Sequence, residues 1–243
     1  MQENVYIERQ GVEKSDESFL QGVKACIPTL LGYLSIGFAA GVVEKTSGLS
    51  ILEITMLSIL VYAGSAQFIA AGMVAANGSV MAIIFTIFFV NLRHLLLSAA
   101  LSPYFRHLTP LKNLFIGCLI TDETFGVAIN QTADKKAISE KWMHGLNVTA
   151  YLNWIAANIA GAFFGQWITN PERLGLDFAL PAMFIGLLVL QLVSRRKIMI
   201  DVIVVLCSVV IVIAVTKLVS GSAGVIVATC IASLIGMVVE KWK

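Results

Sequence analysis

Several stretches of this chain run for about twenty residues with almost no charge, and that length decides what they can become. At a rise of about 1.5 Å per residue, about twenty helical residues match the roughly 30 Å hydrocarbon core of a bilayer. The chain has 243 residues, 58% of them hydrophobic and 13% charged. Soluble domains carry about 25% charged residues, so this much apolar surface cannot be hidden in one soluble core. The sequence predicts an all-α polytopic membrane protein.

Apolar runs separated by polar breaks give eight candidate transmembrane helices: 19–43, 50–75, 80–101, 112–131, 143–168, 178–194, 198–216 and 222–239. Seven is the alternative count. Turn-forming residues mark the breaks, among them Thr46-Ser47-Gly48, Asn77-Gly78-Ser79, Thr109-Pro110 and Asn170-Pro171. Residues 1–18 form a polar, mixed-sign segment without the basic-then-apolar order of a secretory signal. Residues 19–243 read as a single transmembrane domain, and no internal repeat stands out by inspection.

The distribution of Lys and Arg sets the orientation. With eight spans and the N-terminus in the cytoplasm, five of the 17 basic residues lie outside (Lys45, Arg106, Lys112, Arg173, Lys217) and Arg93 lies in the membrane. The other eleven fall on the cytoplasmic side, so both termini are expected there. A net charge of +2 without a basic, aromatic-interleaved cluster gives no basis for nucleic-acid binding. Cys26, Cys118, Cys207 and Cys230 sit in apolar runs without metal-ligand spacing and read as small buried hydrophobes. No metal or cofactor motif is present in the sequence.

Against this apolar background four ionisable groups lie well inside spans: Arg93 and His94 in the third, Asp122 and Glu123 in the fourth. Each charge at a helix centre costs about 2.5–3.5 kcal/mol on insertion scales, so such residues mark substrate or ion pathways more often than they serve stability. The third and fourth spans are joined by a short connection and should be antiparallel neighbours. Counted from that connection, Arg93 and Asp122 both lie about 14 Å deep, so Arg93 can pair with Asp122 or Glu123. The two acids are consecutive and point about 100° apart, so one is left to carry a proton or meet an ammonium group. His94 titrates near neutral pH and is a further candidate for proton coupling. A register-fixing structural ion pair is the competing reading.

The second span contains Ala63-Gly64-Ser65-Ala66-Gln67 near its middle. Gly64 weakens the helix there, and Ser65 and Gln67 can satisfy freed backbone groups, the pattern of an interrupted helix whose exposed N–H groups receive a carboxylate. Close packing through small residues explains the same pattern equally well. Asn147, Asn153, Trp154 and Asn158 in the fifth span either line a polar cavity or bridge helices.

Three segments, VYAGSAQF (61–68), NLRHLLLSAALSP (91–103) and TDETFGVA (121–128), resemble the AzlC-type branched-chain amino acid permeases. The resemblance implies an exporter of Leu, Ile, Val and Met in a bacterial inner membrane, working with a small hydrophobic subunit of the AzlD type. Combined with the residue reading, it gives a midplane site between the second, third and fourth spans. Gly64, Ser65, Gln67, Asn91, Arg93, Asp122 and Glu123 are the candidate substrate-binding residues, and His94, Asp122 and Glu123 the proton-coupling ones. The rivals are a passive channel and an intramembrane serine protease using Ser65 with His94 or His144.

Overall fold

In the computed structural model, residues 17–131, 137–168, 198–218 and scattered positions between 173 and 235 are described. The chain divides into two compact units, Met1–Leu180 and Pro181–Lys243. The candidate spans 178–194 and 222–239 lie largely or wholly outside the described residues. The second unit contains one long described helix, α8 (Ile198–Leu218), corresponding to the seventh candidate span.

In the first unit the helices are α1 (Phe19–Thr46), α2 (Ile51–Leu60), α3 (Gly64–Ala75), α4 (Val80–Leu101), α5 (Pro110–Gly117), α6 (Asp122–Gln131) and α7 (Glu140–Gly165). Local chemistry explains most of the starts. Ser18 with Gln21 and Ser50 with Glu53 form capping boxes before α1 and α2. Ser79 caps α4, and Pro110 opens α5 where its missing N–H costs nothing.

Helices α1 and α7 form the spine. A Cβ at Gly41 would lie 2.1 Å from the Asn158 carbonyl, at Gly145 2.1 Å from the Phe19 carbonyl, and at Gly161 2.1 Å from the Phe38 carbonyl. Glycine is therefore required at each level for the two backbones to touch. Phe19 meets Gly145, Phe38 meets Gly161 and Lys45 meets Gly165, so the two helices run parallel.

The second candidate span is interrupted, and it also turns back. The side chains of Ser58 and Gln67, nine residues apart, meet at 3.2 Å. Collinear half-helices would hold their backbones about 13 Å or more apart, beyond the reach of a Ser and a Gln. Tyr62 makes the turn with φ +45°, uncommon for a bulky residue, while the N–H groups of Val61 and Tyr62 both donate to the Leu57 carbonyl. From there α3 climbs back beside α7: Tyr62 packs on Tyr151, whereas Gln67 reaches Trp154 and Asn158. Thus α2 and α3 enter and leave on the face where α1 ends.

The fourth candidate span, expected as one helix over 112–131, is a second hairpin of the same kind. Lys112 Nζ pairs with Glu140 Oε2 at 2.7 Å at the start of α7, and Asn147 Nδ2 donates to the Ile116 carbonyl at 3.2 Å further along it. After a break at residues 118–121, Thr121 meets Tyr33 midway along α1. Gln131, at the end of α6, then reaches back to Glu17 beside the start of α1. Thus α5 and α6 enter and leave on the face where α1 begins.

Among the described residues of this unit, α1, α4 and α7 are long single helices, whereas the second and fourth candidate spans are each two short helices that double back. This corrects the expectation of one unbroken helix over 112–131. A half-helix of 8 to 12 residues is about 12–18 Å long, half of a bilayer core. The order helix-then-hairpin occurs twice with opposite sense, an inverted arrangement of the kind built into many transporters. It also moves Arg106 and Lys112 to the same face as Lys24 and Lys141.

Candidate functional site

The turning points of the two hairpins meet at mid-depth, and Arg93 of α4 joins them. Its Nη1 lies 2.9 Å from Asp122 Oδ2, the first residue of α6, and its Nη2 donates to Ser65 Oγ, the second residue of α3, at 2.7 Å. The guanidinium is thus stapled between two helix N-termini arriving from opposite faces. The side chains of the ion pair retain 26% and 18% exposure, so the pair is accessible rather than sealed.

The two N-termini differ in one respect. Thr121 Oγ1 accepts from the Thr124 N–H, and Thr124 Oγ1 accepts from the Thr121 N–H, so α6 is capped by its own threonines. Asp122 and Glu123 in its first turn suit the positive end of its dipole. Helix α3 has no such partner: Ala63 occupies the cap position and supplies no side-chain hydrogen bond. Among the described residues no side chain caps its first N–H groups.

Glu123 accepts a hydrogen bond from Tyr33 Oη at 3.1 Å; Tyr33 also bonds the Thr121 hydroxyl. The 100° separation of consecutive helix positions accounts for this split. Ser65, Arg93 and Asp122 are therefore brought into direct contact, with Gly64 at the uncapped start of α3 and Glu123 one residue on. Asn91 Oδ1 and His94 Nε2 are buried without a hydrogen-bond partner among the described residues. Gln67 points elsewhere, into a second polar cluster with Glu44, Ser58, Trp154 and Asn158. Ser65 receives the arginine and bonds neither His94 nor His144; His144 lies 3.9 Å from Glu140 at the start of α7.

The asparagines of α7 act as bridges where their bonds are described. Asn147 donates to the Ile116 carbonyl, Asn153 to the Leu30 carbonyl at 3.3 Å, and Asn158 accepts from Gln67. Sequence reading missed Tyr33, Thr121 and Glu44. The run Thr121-Asp122-Glu123 is a helix-start signal, a cap followed by an acidic first turn, and it could have revealed the break.

Two opposed half-helix hairpins around a charged centre, held on a glycine-packed spine among long apolar helices, define a helical membrane protein of transporter-like build. Residues 28–168 match the family model described as AzlC protein, and the chain belongs to the AzlC family. Among relatives, it is 28% identical to the inner membrane protein YgaZ of Escherichia coli over 185 residues, covering 74% of this chain and 76% of that protein. It is 31% identical to the branched-chain amino acid transport protein AzlC of Bacillus subtilis over 174 residues, covering 70% and 66%. A membrane protein of Archaeoglobus fulgidus is 28% identical over 180 residues, covering 73% and 78%. No solved structure matches the chain.

Proposed function

We propose that this protein exports branched-chain and other hydrophobic amino acids (Leu, Ile, Val, Met) across a bacterial inner membrane by proton-coupled alternating access. The observation that carries the reading is the pairing of opposite ligand chemistries at one depth. The uncapped α3 N-terminus with Ser65 and Arg93 suits a carboxylate, and Asp122 with Glu123 suits an ammonium group. A zwitterion is the small solute that needs both. Asn91 and His94 on α4 offer polar atoms for the same cargo or for its proton, and the apolar surroundings accept an aliphatic side chain.

The name of the Bacillus subtilis relative supports the substrate class, while export direction and a small hydrophobic AzlD-type subunit follow the family resemblance. Apolar residues of α4 (Ile84, Phe85, Phe88, Leu95) are exposed and offer a surface for lipid or for that subunit. Transport is favoured over serine proteolysis because Ser65 is bound by a guanidinium rather than by a base. Labelled leucine flux in proteoliposomes, with and without the partner and across a pH gradient, tests the reading. Asp122→Asn and Glu123→Gln made separately should each impair flux; normal flux in both, at normal protein levels, rejects it.

A further inference from the structure

Away from the Arg93 centre, a carboxyl group is fully buried in the last turns of α1. Glu44 has no exposed surface, and neither do Ser58, Gln67 or Asn158 around it. Gln67 Nε2 donates to Glu44 Oε1 at 2.9 Å and lies 3.2 Å from Ser58 Oγ and 3.3 Å from Asn158 Oδ1. The amide orientation is set by Trp154, whose Nε1 donates to Gln67 Oε1 at 2.8 Å. Glu44 Oε2 is buried and has no hydrogen-bond partner among the described residues.

We propose that Glu44 is a proton-binding site, distinct from the Arg93 centre and linked to it through α3. Among the described residues, the elements packed around the carboxyl contribute neutral groups: Ser58 from α2, Gln67 from α3, Asn158 and Trp154 from α7. Its neighbour Lys45 turns its Nζ to the Leu49 carbonyl, and Glu53 caps Ser50 at the exposed start of α2. A buried carboxylate without a countercharge is held as the neutral acid, and Oε2 is the oxygen left for the proton. A metal ion fits less well, because the Gln67 amide nitrogen already fills the space among the three oxygens. Uptake of a proton on Oε2 converts carboxylate to acid, and release restores the charge. The charged form grips the Gln67 N–H more strongly. Gln67 and Ser65 sit on the same short helix, so the protonation state of Glu44 bears on how firmly α3 is held while it contacts Arg93.

The proton site stands on the geometry alone, and its coupling to cargo rests on the transport reading above. Infrared spectra of the full-length protein in nanodiscs at neutral pH should contain a protonated-carboxyl band that disappears in Glu44→Gln and shifts in Glu44→Asp. In proteoliposomes, the stimulation of leucine efflux by a pH gradient should be lost in Glu44→Gln and persist in Glu44→Asp. An unchanged carboxyl band in Glu44→Gln, or an undiminished gradient response, overturns the proposal. Absence of leucine flux in the unmodified protein counts against the transport reading only, and the infrared comparison still decides the proton site.

Discussion

Replacing Arg93 by Gln removes both the ion pair to Asp122 and the bond to Ser65. The loss can be scaled from the position of Asp122. A charge at the centre of a membrane helix costs about 2.5–3.5 kcal/mol when unpaired. The Asp122 side chain keeps 18% exposure, which relieves part of that. Arg93→Gln should therefore destabilise the protein by about 2–3 kcal/mol. Adding Asp122→Asn removes the stranded charge, so the double variant should recover most of the stability while transport stays low. Equilibrium unfolding of the four proteins in nanodiscs completes a double-mutant cycle, with an expected coupling of about 2 kcal/mol. Additive effects, or a single Arg93 variant as stable as the unmodified protein, would show that the pair does not carry the energy assigned to it.

The hairpin topology makes a sharper prediction. Single cysteines at Ser47 and Asn77 should react with an impermeant maleimide from one side of the membrane, and cysteines at His107 and Ser139 from the other. A straight second span would instead put Ser47 and Asn77 on opposite sides. At the spine, Gly41→Ala or Gly161→Ala should sharply lower the level of folded protein, because each Cβ would lie 2.1 Å from a carbonyl oxygen. Gly72→Ala has open space around it and should leave that level unchanged, as quantitative immunoblotting of membranes can show. Gln67→Ala strips partners from Glu44 and Trp154 at once and should cost several kcal/mol, given about 1–3 kcal/mol per buried polar group left unsatisfied.

Helix content was legible because apolar run length carries it: α1, α4, α7 and α8 fall close to the runs that predicted them. The break in the second span was legible from Ala63-Gly64-Ser65. Its reversal was not, because the turn is made by Tyr62, whose left-handed backbone no residue preference announces. The second break was hidden for a different reason. Its start signal, Thr121-Asp122-Glu123, lies inside an apolar run, where run length outweighed capping chemistry in the reading. Contact between Arg93 and Asp122 was accessible by counting residues from their shared loop, and the count still works because both residues stand at mid-depth in either topology. Glu44 escaped notice because it falls one residue past the end of the first apolar run and looks like a loop charge. Only the packing of α2, α3 and α7 around it shows that it is inside.

The contact between α1 and α7 also limits how such a molecule can open. Carbonyls and α-carbons touch there at several levels with no side-chain cushion between them, so neither rod can slide along the other without collision. The pair serves as a keel. Against that keel the two hairpins are held by side-chain contacts, so under the proposed transport cycle they are the parts expected to swing.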